Sequence, residues 1–212
     1  MKKLILSGVL FCFSTAVFSQ SNPIQDSLKK KKKEAVFVLM HGWANYSGIG
    51  GESESYDGSV LGLYVGASTN LLKLNREMGV DIGLGFSQQG GGYKGYSYTP
   101  GGEGGTEKAS VRLNYLVAPV TATYETKSGF FGEAGLRPGL LLSAKDKHNG
   151  ESTDIKSEYK GFDMSAVLGV GYQFKNNLGV ELHYFPGIVN INKTGTLKDR
   201  NRTVSLGAYY RL

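Results

Sequence analysis

The feature that most constrains this chain is a two-residue hydrophobic beat that recurs from about residue 34 to the C-terminus. Phe162, Met164, Ala166, Leu168, Val170, Tyr172 and Phe174 fall on one face of their segment. Asp163, Ser165, Val167, Gly169, Gly171 and Gln173 fall on the other. A helix cannot sustain that pattern, because its faces repeat every 3.6 residues; a strand repeats every two. The closing segment does the same, with Val204, Leu206, Ala208, Tyr210 and Leu212 against Thr203, Ser205, Gly207, Tyr209 and Arg211. So do Leu178, Val180, Leu182 and Tyr184 against Gly179, Glu181, His183 and Phe185, and Val80, Ile82, Leu84 and Phe86 against Asp81, Gly83, Gly85 and Ser87.

The beat predicts eight strands, at about 35–46, 58–72, 78–91, 107–124, 129–145, 159–174, 178–190 and 201–212. The connections between them alternate. Those at 47–57, 92–106, 146–158 and 191–200 are long, and those at 73–77, 125–128 and 175–177 are short. An up-and-down antiparallel sheet with this alternation places all long loops at one end and all short turns at the other, as transmembrane barrels do. The expected fold is all-β: an eight-stranded antiparallel up-and-down transmembrane β-barrel.

Alternation alone does not separate a membrane barrel from a soluble one, so the second face decides. It carries Gly62, Gly66, Gly83, Gly85, Gly135, Gly139, Gly169, Gly171 and Gly207, interleaved with Asp81, Arg112, Glu133, Arg137, Asp163, Glu181 and Arg211. Small residues with near-balanced charges make a poor solvent-facing surface. They suit the interior of a narrow barrel whose cross-section barely admits side chains. These seven charged residues are the expected lumen charge network, with Glu133 and Arg137 near neighbours in it. Lysines gather in loops and turns, as a lipid-facing wall requires. Aromatics form two belts, Tyr124, Phe130, Tyr172, Phe174 and Tyr210 near the short turns and Phe86, Tyr159, Phe162 and Tyr184 toward the long loops.

The formal charge of +6 invites a nucleic-acid reading until it is located. Residues 1–33 hold seven of the 24 basic side chains and one of the 18 acids, which leaves residues 34–212 with 17 of each. A nucleic-acid footprint needs clustered cations on the fold, so no nucleic-acid partner is expected. Lys2 and Lys3, the apolar run Leu4–Phe18 and the small residues before Gln20 form a secretory signal at 1–19. The run Lys29–Lys33 makes 20–33 a flexible basic leader, and 34–212 is the barrel domain. Export to the outer membrane follows, with its lipid as the surrounding partner.

Asn114-Tyr115-Leu116-Val117-Ala118-Pro119-Val120 resembles the "YLEIP"-type strand of the PorT-like outer-membrane β-barrel family. Gly129-Phe130-Phe131-Gly132-Glu133-Ala134-Gly135 is similar to that family's "GFYLEAG" strand. Gly169–Phe174 and the closing Thr203–Leu212 are similar to its last strands. The resemblance implies an integral, porin-like outer-membrane protein without an established activity, inserted by the barrel-assembly machinery and meeting an envelope protein partner.

Chemistry is sparse. Gly83-Leu84-Gly85 and Gly169-Val170-Gly171 lack the strand–turn–helix setting of a phosphate loop and read as lumen glycines. No Cys or His cluster has metal-ligand spacing, so no cofactor or metal is expected. His41 and His183 are placed to face inward, most simply bonded to Glu181 or Asp163. No Gly-X-Ser-X-Gly nucleophile motif accompanies them, so no catalytic residues are expected. Loop 92–106, with Tyr93, Tyr96 and Tyr98 among glycines, is the expected surface-binding loop. Two other readings stay open. One is a periplasmic lipocalin-like barrel whose apolar faces at 60–72 and 162–174 point inward around a small apolar ligand. The other is a membrane-embedded barrel enzyme using His41 or His183.

Overall fold

The structure, a computed structural model, describes residues 38–52, 56–97, 105–193 and 197–212. The expected signal and leader lie outside the described residues. Ten strands form in chain order: β1 (Val38–Gly51), β2 (Tyr56–Lys73), β3 (Met78–Ser97), β4 (Gly105–Val117), β5 (Val120–Glu125), β6 (Phe130–His148), β7 (Glu151–Asp154), β8 (Phe162–Gln173), β9 (Leu178–Pro186) and β10 (Asp199–Arg211). Eight of the expected segments are recognisable in them. The segment at 107–124 is divided at Ala118–Pro119, because Pro119 has no N–H to give the ladder. Neighbouring strands still hold the break: Pro119 accepts from the Gly83 N–H, and Ala118 donates to Pro138, each at 2.9 Å. Strand β7 pairs only with the outer end of β6.

Every pairing is antiparallel, and the circuit closes through β2–β3 and β1–β10. The ring is not uniform. Register breaks interrupt β2–β3 between Gly58 and Tyr64 and β4–β6 at Asn114/Tyr115. The registers fix the tilt. Crossing paired residues from Gln173 through Gly179, Tyr209, His41, Gly66, Gly85, Val117 and Gly139 returns to β8 at Asp163, ten residues from the start. With a strand rise of ~3.3 Å and a spacing of ~4.8 Å, that stagger inclines eight strands by about 40° to the axis.

Short turns gather at one end. The β2–β3 turn is fixed by Asn75, whose Oδ1 accepts the Glu77 and Met78 N–H groups at 2.8 Å each. At the other end the strands run further than their pattern predicts. Residues 92–97 continue β3 and pair with β4 out to Ser97↔Gly105.

The outer wall is apolar. Leu61, Leu63, Val65, Leu168 and Val170 expose 46–68% of their surface. This overturns the lipocalin-like alternative, in which the apolar faces of 60–72 and 162–174 had to point inward. Of the expected belts, Phe130, Tyr172 and Phe174 pack edge to face near the short turns, with centroids 4.8 and 5.0 Å apart. Tyr159 departs from its belt: it is buried, and its hydroxyl meets that of Tyr56 at 2.8 Å.

Candidate functional site in the barrel lumen

Inward positions alternate along each strand, and glycine decides what else fits there. The Tyr64 ring lies flat against Gly66 and Gly85, in space that a Cβ at either position would occupy. At Gly207 a Cβ would meet both the Gly42 carbonyl and the Trp43 ring. The wall glycines thus make room for large rings, a small-against-large arrangement suited to a narrow barrel. Trp43 stacks on Tyr64 with centroids 4.0 Å apart and packs beside His183 and Phe185.

Toward the short turns the lumen is polar and paired. His41 Nδ1 lies 2.8 Å from Glu181 Oε1, and His41 Nε2 lies 2.8 Å from Ser68 Oγ. The same Glu181 oxygen accepts the indole N–H of Trp43. His183 Nε2 bonds Glu133, two strands away. Asp81 accepts from Asn70 Nδ2 at 2.8 Å and from Thr123 Oγ1 at 2.6 Å. Arg211 reaches Glu125 at 3.3 Å.

Midway, Arg137 is buried on the inner face. Its guanidinium carbon sits 3.6 Å above the Phe185 ring, and its Nε donates to Ser165 Oγ at 3.2 Å. A planar cation desolvated over an aromatic face keeps part of the stabilisation it loses from water. Above it, Asp163 Oδ2 accepts from Asn201 Nδ2 at 2.8 Å, and Asn201 also reaches the Tyr115 hydroxyl at 3.2 Å.

Toward the long loops the inward positions of β4 and β6 turn apolar, while β1, β3 and β10 keep Ser47, Gln89, Asp199, Asn201 and Thr203 buried. Val111, Leu113, Tyr115 and Val117 on β4, Leu141 and Ala144 on β6, Tyr159 and Ile191 form one buried cluster across the bore. At its outer edge the Tyr93 hydroxyl donates to the Asp146 carboxylate at 2.7 Å.

The residues expected to form one lumen network are therefore distributed. Asp81, Glu133, Arg137, Asp163, Glu181 and Arg211 all occupy inward positions, but each bonds a local partner. Glu133 turns to His183 and Arg137 to Ser165 and Phe185, not to one another. Arg112 is a correction. It lies between the buried Val111 and Leu113 and so faces outward, where its Nη1 donates to the Leu61 carbonyl at 2.7 Å. The cause is the plug: on β4 the apolar residues fill the bore, so the polar set faces out.

The expected binding loop is also revised. Tyr93 is a strand residue tied inward, Tyr96 belongs to β3 opposite Thr106, and Tyr98 lies outside the described residues. The expected bond of an inward histidine to Glu181 forms at His41, whereas His183 turns to Glu133; what sequence reasoning missed is that Ser68 and Trp43 join His41 and Glu181. Parity places each on the inner wall, but only the stagger of the strands brings β2, β1 and β9 to one point. Among the described residues no group of three or more His, Cys, Asp or Glu side chains could hold a metal ion.

A family model described as outer membrane protein beta-barrel domain matches residues 35–193. The chain belongs to the outer membrane protein beta-barrel domain family. It is an integral outer-membrane protein, surrounded by membrane lipid. Among solved structures it is similar to Neisserial surface protein A, with a TM-score of 0.47 and 16% identity over 84% of this chain and 97% of that one. It is similar also to Ail, the attachment invasion locus protein of Yersinia pestis, in complex with sucrose octasulfate (TM-score 0.43, 15% identity, 84% and 97%). A third is OprG from Pseudomonas aeruginosa (TM-score 0.42, 13% identity, 84% and 95%). No curated protein matches the chain.

Proposed function

We propose that this outer-membrane barrel is non-enzymatic and non-conducting, and serves as a structural, envelope-assembly or surface-binding protein of the PorT-like group. The observation that carries the reading is the apolar plug. Leu113, Tyr115 and Ile191 are fully buried across the bore, and open aqueous channels come with 16 or more strands. The barrel-assembly machinery and an envelope protein are its proposed partners. Single-channel recording in planar bilayers tests the reading. The wild-type protein gives no steady conductance, whereas Leu113→Ser combined with Ile191→Ser gives a measurable leak. A stable open conductance in the wild type would sink the proposal.

One observation favours a second reading. Ser68 Oγ, His41 and Glu181 line up as nucleophile, base and orienting acid, both contacts at 2.8 Å. Against it, the indole N–H of Trp43 is committed to Glu181 rather than aimed at a developing oxyanion. A fluorophosphonate probe separates the two. The non-enzymatic reading expects no label on Ser68; labelling lost in His41→Ala establishes the hydrolase.

A further inference from the structure

The plug has a counterpart on the outside of the same three strands. Outward residues on β3, β4 and β6 change character in ordered rows. The first row is apolar, Phe86 opposite Leu116 opposite Leu140. Next comes Gln88 opposite Asn114 opposite Ser143, with Asn114 Nδ2 donating to Ser143 Oγ at 2.9 Å. Above that every row carries cations: Gly90, Arg112 and Lys145; then Gly92, Ser110 and Lys147; then Lys94 opposite Lys108.

Two features set this patch apart from lysines scattered in loops. First, Arg112 lies opposite Lys145 and Lys94 opposite Lys108 on their ladders, so cations occupy three adjacent strands, with Arg112 leaning to Leu61 and Lys94 to Asp57, both on β2. The acids beside them, Asp57 at 2.6 Å from Lys94 and Asp154 opposite Lys145 on the β6–β7 ladder, are outnumbered. Second, the patch is built rather than floppy. Gly90 and Gly92 present no side chains, so Arg112 lies across the sheet and caps the Leu61 carbonyl at 2.7 Å, beside the register break of β2–β3. That contact uses Nη1 and holds the guanidinium against the wall. Arg112 Nε has no partner among the described residues.

We propose that this outer face binds a phosphorylated lipid of the outer leaflet. Arg112, Lys145, Lys147 and Lys108 take the phosphate groups, and the acyl chains lie along Leu116, Leu140, Leu142 and Leu61. Position argues for a lipid rather than a soluble anion. The cations stand directly above the apolar wall at the long-loop end, which faces outward in such barrels, and cations at that level hold anionic headgroups. The proposal rests on the outer-membrane location and is independent of whether the lumen conducts.

The test uses the full protein in phosphatidylcholine nanodiscs doped with bisphosphorylated or with dephosphorylated lipid A, the lipid retained being read by native mass spectrometry. The wild type retains the phosphorylated form at least about tenfold better. The triple variant Arg112→Gln, Lys145→Gln, Lys147→Gln loses that preference, while Arg200→Gln with Arg202→Gln, on β10 across the barrel, keeps it. Equal loss in both variants, or no preference in the wild type, overturns the proposal. Displacement of the lipid by inorganic phosphate would assign the site to a soluble anion and overturn it too. Should the triple variant fail to fold, salt titration of the wild type decides: the preference must collapse as ionic strength rises, and a salt-independent preference refutes the assignment.

Discussion

Toward the short turns, the inward positions of the barrel hold His41, Glu181, His183, Glu133 and Asp81, every one joined to a partner. Toward the long loops, the same inward parity delivers Val111, Leu113, Leu141, Ala144 and Ile191, joined by nothing but contact. The ladders run through both ends, with register breaks at β2–β3 and β4–β6, so the difference lies mainly in which residues occupy alternate positions. The polar end has to satisfy most of its buried donors and acceptors, because an unmet one costs about 1–3 kcal/mol, and His183 Nδ1 is left without a partner among the described residues. The loop end needs only shape on β4 and β6, and on β1 and β10 it pairs its buried polar groups, as Ser47 does with Thr203 at 2.9 Å. A barrel can thus be sealed at one mouth without any change of architecture, and Arg137, stacked on Phe185, stands where the two regimes meet.

The largest effect should come from the polar end, where rings depend on glycine. Gly207→Val drives a side chain into the Gly42 carbonyl and the Trp43 ring, so the barrel should fail to close. Heat-modifiable gel mobility after detergent extraction reads this directly: the compact band disappears. At the loop end Gly161 has open space around its Cβ position, and Gly161→Val should keep the band. Equal tolerance at both sites would erase the contrast between the two ends.

Next in size, Glu181→Ala strands two donors at once, the Trp43 indole and His41. The loss should be about 2–4 kcal/mol of unfolding free energy, with urea unfolding in detergent or lipid as the measurement. Glu181→Gln, which keeps an acceptor, should recover most of it. If Gln were no better than Ala, charge rather than hydrogen bonding would govern that end.

Much of this was legible in the two-residue beat. On β8, β9 and β10 one face is plainly apolar and the other holds glycines and charges, and the structure follows that division residue by residue. It misled on β4, where Val111, Leu113, Tyr115 and Val117 form an apolar face as good as any lipid-facing one. Periodicity tells two faces apart but not which is inside, so Arg112 reads as a lumen residue although it faces outward. Strand ends were hidden for a related reason. Residues 92–97 read as a Gly-Tyr loop, yet glycine with tyrosine also continues a ladder once β4 lies alongside. Meetings across the bore depend on stagger, which no local pattern carries.

The smallest effect sharpens the loop end. Tyr159, which follows the 3-10 turn at Lys156–Glu158, and Tyr56 at the start of β2 share a hydroxyl contact of 2.8 Å at the edge of the plug. Tyr159→Phe keeps the ring and removes the bond, so about 1 kcal/mol should be lost at neutral pH. Burial, then the hydrogen bond to Tyr56, raises the Tyr159 phenol above the ordinary value near 10. A raised folded value means that the folded state holds its proton where the unfolded chain releases it. The stabilisation is therefore full below about pH 10 and falls as pH rises further. Wild type and Tyr159→Phe should converge in stability as alkaline pH is approached, and a gap that stays constant through pH 11 would show that the fold does not hold the Tyr159 proton.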